Sequence, residues 1–131
     1  MAQDNNITLD DCQLSHTAAF ALRDEDGDCF IAIDSRQMRT QAEQAVILAH
    51  ELGHCLTGSF YCQHSPFDER ARHERRANKK AVYELIPLDK LIAALDNPWN
   101  SVYDLSEHFG VTEDFMRTVL DIYDNDLRSI G

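Results

Sequence analysis

The chain alternates first between short apolar runs with strand character and then settles into segments of helical period. Residues 16–22 and 28–34 are apolar-rich and flank Arg23-Asp24-Glu25-Asp26-Gly27, a pattern that predicts a β-hairpin closed by a glycine turn. Asp24, Asp26 and Asp28 around Gly27 imitate a calcium loop. Ser35 stands where the terminal glutamate should be, however, and the glycine is out of register, so a plain turn is expected. Thr40-Gln41-Ala42-Glu43 has the form of a capping box, which starts a helix expected to run over about 40–57 with Gly58 as its stop signal. Within it, Ala45-Val46-Ile47-Leu48-Ala49 is apolar on every side and predicts a helix enclosed by the rest of the domain. After a loop over 58–67 a second long helix is predicted over 67–86, ending before Pro87, and a short one over 88–95. A turn at Asp96-Asn97-Pro98-Trp99-Asn100 leads to closing helices over 101–109 and 113–124, parted by Gly110, with Thr112 as N-cap of the last. The sum is an α+β domain, a small antiparallel sheet packed with helices.

The first long helix carries His50-Glu51-Leu52-Gly53-His54. Residues four apart lie one turn apart on nearly the same helix face, so His50 and His54 can offer imidazole nitrogens to one metal ion. Glu51 sits on the flank of that face, displaced from the ligand pair but within reach of a water. This is the division of labour of an H-E-x-x-H hydrolase: Zn2+ polarises a carbonyl and acidifies water, and the glutamate takes the proton. A satisfied core histidine explains one such residue; it is a poor account of two histidines and a glutamate together.

Catalytic zinc needs a third protein ligand. The downstream candidates are His64, Asp68, Glu69, His73 and Glu74. Helix phase separates the last four. Ala71, Glu74, Asn78, Ala81, Val82 and Leu85 share one stripe of mostly small or apolar residues, which must face the core. Glu69 and His73 fall with Arg72, Arg76 and Lys80 on the wet side, and Asp68 opens the helix on a mixed face. Glu74 is the acid that points inward, where an unpaired carboxylate is costly, and it is the expected third ligand, with His64 next. Asn78, one turn on, can orient Glu74 or a ligand histidine through a hydrogen bond.

Composition bounds the rest. With 131 residues and 44% apolar content, one domain over 1–131 is expected, with a catalytic core at 28–87 and C-terminal helices at 88–131. No stretch reaches the length of a membrane span, and Met1-Ala2-Gln3-Asp4-Asn5-Asn6 lacks a signal peptide's basic and apolar regions, so a cytoplasmic chain is expected. Cys12, Cys29, Cys55 and Cys62 lack the close pairs of a zinc knuckle and are expected as reduced thiols. The net charge of −11 argues against direct nucleic-acid binding. Residues 101–120 do follow a helix-turn-helix rhythm, but the would-be recognition helix opens Glu113-Asp114 and continues with Asp121, Asp124 and Asp126, which repel phosphate. Half of the 12 basic residues, Arg70, Arg72, Arg75, Arg76, Lys79 and Lys80, cluster in one segment that forms a solvated helix face or a dock for an acidic partner.

Taken together, His50-Glu51-Leu52-Gly53-His54, Glu74-Arg75-Arg76-Ala77-Asn78-Lys79-Lys80-Ala81 and Leu85-Ile86-Pro87 resemble the ImmA/IrrE family of metallopeptidases. Phe30-Ile31-Ala32-Ile33-Asp34 is similar to that family's strand beside the cleft, and Leu105-Ser106-Glu107-His108-Phe109-Gly110-Val111-Thr112 to its C-terminal part. Lys80 stands where an aromatic is common, and Thr57 and Phe60 replace the glycine and third histidine of the longer metzincin motif. The resemblance implies a minimal zincin-like domain and an intracellular zinc endopeptidase of prophage or mobile-element type, with His50, His54 and Glu74 as metal ligands and Glu51 as catalytic base. It also implies a protein substrate, a helix-turn-helix repressor. An extended substrate is expected to lie antiparallel to an edge strand near residues 28–34. Tyr61, His64 and His73 are candidates for stabilising the oxyanion. The competing readings are a non-catalytic zinc-binding module, against which Glu51 speaks because the metal does not need it, and a DNA-binding regulator.

Overall fold

The structure, a computed structural model, describes residues 7–58 and 67–130. Its elements are β1 (Ile7–Asp11), β2 (Ala19–Arg23), β3 (Cys29–Ile33), a 3-10 turn (Ser35–Gln37), α1 (Gln41–Thr57), α2 (Phe67–Leu85), α3 (Leu88–Leu95), α4 (Val102–Phe109) and α5 (Glu113–Ile130). The expected hairpin is β2–β3, with Ala19 opposite Ile33 and Arg23 opposite Cys29. Gly27 takes the positive φ of 87° that its turn requires. Asp24 Oδ1 accepts the backbone N–H groups of Asp26 and Asp28, so this acid makes the turn, as an Asx side chain does.

Two features of the sheet differ from expectation. β1 pairs parallel to β3, Ile7 opposite Cys29, so the sheet is mixed rather than purely antiparallel. The strand order β1-β3-β2 makes β3 the central strand. Residues 28–34 therefore offer no free edge to a substrate; β1 and β2 hold the edges. The burial of β3, with Cys29, Ile31, Ala32 and Ile33 all inside, is the signature of a strand covered by neighbours.

Asp34 fastens the start of the next connection. Its buried carboxylate accepts the Leu14 N–H at 3.0 Å, Gln37 Nε2 at 3.0 Å, and Arg36 N and Nε at 3.2 and 3.1 Å. Hydrogen bonds from Leu14 and Gln37, with the Arg36 guanidinium adding to them, pull its pKa from 3.8 down to about 2. A carboxyl whose pKa falls on folding stabilises the protein above its unfolded pKa and loses that contribution as it protonates. Asp34→Asn is therefore expected to melt several degrees lower than the parent at pH 7. The gap should close as pH falls from 3.8 through about 2. Identical melting curves at pH 7 would refute this account.

α1 begins as the sequence predicts. Thr40 Oγ1 accepts the Glu43 N–H at 3.0 Å, and Gly58 closes the helix in the left-handed region at φ 66°. The helix lies between two cores. Leu48, Leu52 and Cys55 pack with Cys29, Ile31 and Ile33 of the sheet. Ala49 and Val46 pack with Ala81, Val82, Ile86, Leu105, Met116 and Val119 of the helical layer. Full enclosure does not follow: only Ala49, Gly53, His54 and Cys55 are buried, because two packed faces leave the flanks of the cylinder in solvent. Cys29 and Cys55 are joined as a disulfide that ties β3 to the last turn of α1, which corrects the expectation of reduced thiols; Cys12 is free and exposed.

α2 and α3 end close to their predicted bounds. α5 runs to Ile130, six residues beyond the predicted 124. Asp124 pairs with Arg128 at 3.0 Å and Asp126 accepts from Tyr83 Oη at 2.5 Å, which holds the helix together past the predicted end. No helix of the described residues is long and apolar enough to cross a membrane.

Candidate metal centre

The site is set by one close crossing. At Gly53 an added Cβ would strike the Ala77 carbonyl oxygen and lie 3.1 Å from its carbonyl carbon, so α1 and α2 meet backbone to backbone. Ala77 is fully buried there. The predicted core stripe of α2 omitted this residue, although it is the point of contact. On α2, Glu74 stands three residues before Ala77 and Asn78 one after it; on α1, His50 stands three residues before Gly53 and His54 one after it. The crossing thus brings the two helices close enough for short side chains to converge.

His50 Nε2 lies 2.9 Å from Glu74 Oε2, His54 Nε2 lies 3.0 Å from the same oxygen, and the two imidazole nitrogens are 3.2 Å apart. Tetrahedral zinc with bonds of about 2.0–2.1 Å sets its ligand atoms roughly 3.3 Å apart, close to this triangle. Proton positions point the same way. His50 Nδ1 meets Asn78 Oδ1 at 2.7 Å, which places the hydrogen on Nδ1 and leaves the Nε2 lone pair facing the Glu74 carboxylate. Two acceptors at 2.9 Å repel unless a positive charge lies between them. One proton on His54 Nε2 can relieve only part of the triangle; a cation at its centre satisfies all three atoms. The donor set of two imidazoles and a carboxylate suits zinc.

The candidates among the described residues can each be placed. His50, His54 and Glu74 form a metal-competent group, His54 buried and the other two half-buried. Asn78 orients His50, the role anticipated for it. Asp68 is exposed at the start of α2. His73 is a correction: its side chain is only 19% exposed rather than on the wet face, and its Nε2 lies 3.8 Å from Glu69. Tyr61, Cys62 and His64 lie outside the described residues. Glu51 is half-buried beside the triad. Burial raises its pKa and the nearby Glu74 charge raises it further, with His54 acting in the opposite sense.

A histidine pair one turn apart, a carboxylate from a crossing helix and a flanking glutamate on an α+β scaffold define a metallopeptidase-type domain. The model of the IrrE N-terminal-like domain, a peptidase family, matches residues 4–120, and the chain belongs to that family. No curated protein and no solved structure gives a significant match.

Proposed function

We propose that the protein is an intracellular zinc endopeptidase that cleaves one or few proteins, a helix-turn-helix repressor of a prophage or mobile element being the substrate. The observation that carries the reading is the convergence of His50 Nε2, His54 Nε2 and Glu74 Oε2, with Glu51 beside them and outside the triangle. His50, His54 and Glu74 would hold the ion, and Asn78 keeps His50 in the tautomer that ligates. When bound, zinc supplies Lewis acidity toward the scissile carbonyl and lowers the pKa of water. Glu51 accepts a proton from the attacking water and returns it to the departing amine. Its raised pKa, closer to neutral than an ordinary glutamate's, suits both transfers.

The substrate strand is reassigned with the sheet. α1 packs against β2, which is an edge strand of the sheet among the described residues. The inward bonds Asp34 N to Ala18 O and Asp24 N to Asp28 O fix the alternation, so Ala19, Ala21 and Arg23 turn their backbone groups outward. Thr17 Oγ1 already engages Ala19, and Ala21 is the position with which an extended peptide can pair. The DNA-binding reading weakens further: Glu113, Asp114, Asp121 and Asp124 are exposed on α5, while Arg117 and Arg128 are paired with acids of the same helix.

The test is direct. A repressor encoded next to this gene, incubated with zinc-loaded protein, is expected to give a small set of fragments by mass spectrometry. Removal of the metal by a chelator should abolish them, and added zinc should restore them. Intact repressor in the zinc-loaded sample would reject it as the substrate; fragments that persist after chelation would reject the metal mechanism.

A further inference from the structure

Behind the metal centre, α2 and α5 enclose a groove of about 400 Å³ whose walls include Arg75, Asn78 and Lys79 from α2 and Ile122, Asn125 and Asp126 from α5. Asn78 belongs to both places, because its Oδ1 faces His50 while its side chain also lines the groove. Any ligand in the groove is therefore one side chain removed from a metal ligand. Arg75 is exposed and makes no ion pair among the described residues. Lys79 is half-exposed and lies 3.6 Å from Asp126, a loose contact. Asp126 meanwhile accepts a shorter bond from Tyr83 Oη, so its charge is partly engaged elsewhere. Asn78 uses its oxygen on His50 and keeps its amide N–H groups for another acceptor. One guanidinium, one ammonium and the amides of Asn78 and Asn125 thus line a single cavity, against the one carboxylate of Asp126, in a chain whose net charge is −11.

We infer that this groove is a subsite for an acidic side chain of the protein substrate, a glutamate above all. The Arg75 fork matches a carboxylate in two parallel hydrogen bonds, with Lys79 and the Asn78 amide closing the remaining lone pairs. Ile122 offers an apolar wall to the methylenes that carry the carboxylate, which favours glutamate over the shorter aspartate. The groove adds a local cationic determinant to an otherwise anionic surface. A substrate is then selected by an acidic residue as well as by its backbone. The inference deepens the peptidase reading and rests on it for the word substrate, but the binding itself needs no hydrolysis.

The experiment uses the full chain, labelled with nitrogen-15 and titrated with a blocked tetraglutamate peptide, with the blocked tetraglutamine peptide as control. Saturable shifts are expected at Arg75, Lys79, Asn125 and the Asn78 side-chain amide, and none from the glutamine peptide. Arg75→Glu, at an exposed position, is expected to leave the rest of the spectrum in place and to weaken binding about tenfold or more, and Arg75→Lys to retain part of it. Shifts elsewhere on the surface, equal binding of the two peptides, or unchanged affinity in Arg75→Glu would each overturn the assignment. Since hydrolysis is not the readout, a chain that binds the acidic peptide in the groove yet cleaves no protein would refute the peptidase alone. A chain that cleaves its repressor but shows no groove binding would refute the subsite alone.

Discussion

Glu51→Gln is expected to keep the fold and the metal while peptide hydrolysis falls by about 10²–10⁴-fold, the usual worth of a general base. The amide has the shape of the carboxylate but cannot take a proton from water. It leaves the triad intact, because the converging atoms belong to His50, His54 and Glu74. A second consequence separates this residue from a bystander. Its pKa is raised on folding, from the ordinary 4.5, by burial and by Glu74. A group shifted upward favours the folded state while it is protonated, below 4.5, and that advantage is lost as pH rises through the folded value. At neutral pH the ionised Glu51 is thus a burden that glutamine removes. Metal-free Glu51→Gln should melt above the parent at pH 7 and level with it in acid, a trade of stability for activity. Parental turnover in the variant would end the proposed role; lower stability at pH 7 would show that Glu51 is a structural residue.

What the sequence made legible follows from how far each constraint reaches along the chain. The convergence of His50 and His54 is legible because the α-helical repeat alone puts residues 50 and 54 on one face. Glu74 is legible because helix phase and the cost of burying a carboxylate point the same way. Caps at Thr40 and Gly58 are equally local. The losses are all non-local. β1 carries Asp10 and Asp11 in a five-residue strand exposed along its length, and only its partner β3, some 20 residues on, makes it a strand at all. With β1 unseen, β3 looks like an edge. The Cys29–Cys55 pairing depends on where β3 meets the end of α1, 26 residues apart, and cysteine spacing cannot report that. His73 shows the limit of helix phase: one face of α2 is apolar, but the protein also covers part of the flank, so a polar residue there is half-buried against expectation.

Gly53→Ala distinguishes a close helix crossing from an ordinary helical glycine by the sign of its effect. In an unencumbered helix interior, alanine in place of glycine stabilises by about 0.5–1 kcal/mol, since glycine has more backbone freedom to lose. At Gly53 the new Cβ would run into the Ala77 carbonyl oxygen and stand 3.1 and 3.2 Å from that residue's carbonyl and α carbons. All three are backbone atoms of a second helix and cannot rotate away. Overpacking of this kind costs about 1–3 kcal/mol, which exceeds the helix-propensity gain, so the net change is destabilising. The functional loss should be larger than the structural one. Relief of the clash pushes α1 from α2, and these helices carry the two halves of the site: His50 and His54 on one, Glu74 and Asn78 on the other. The 2.7 Å bond from His50 to Asn78 and the contacts of about 3.0 Å to Glu74 both lengthen as the helices part. Loss of such an orienting bond alone costs roughly 10–100-fold in metal affinity, and displacing a ligand costs more. Gly53→Ala should therefore melt below the parent and bind zinc at least 10-fold more weakly by competition against a chelator, on the same scale. A variant with raised stability and parental affinity would mean that the helices cross with room to spare.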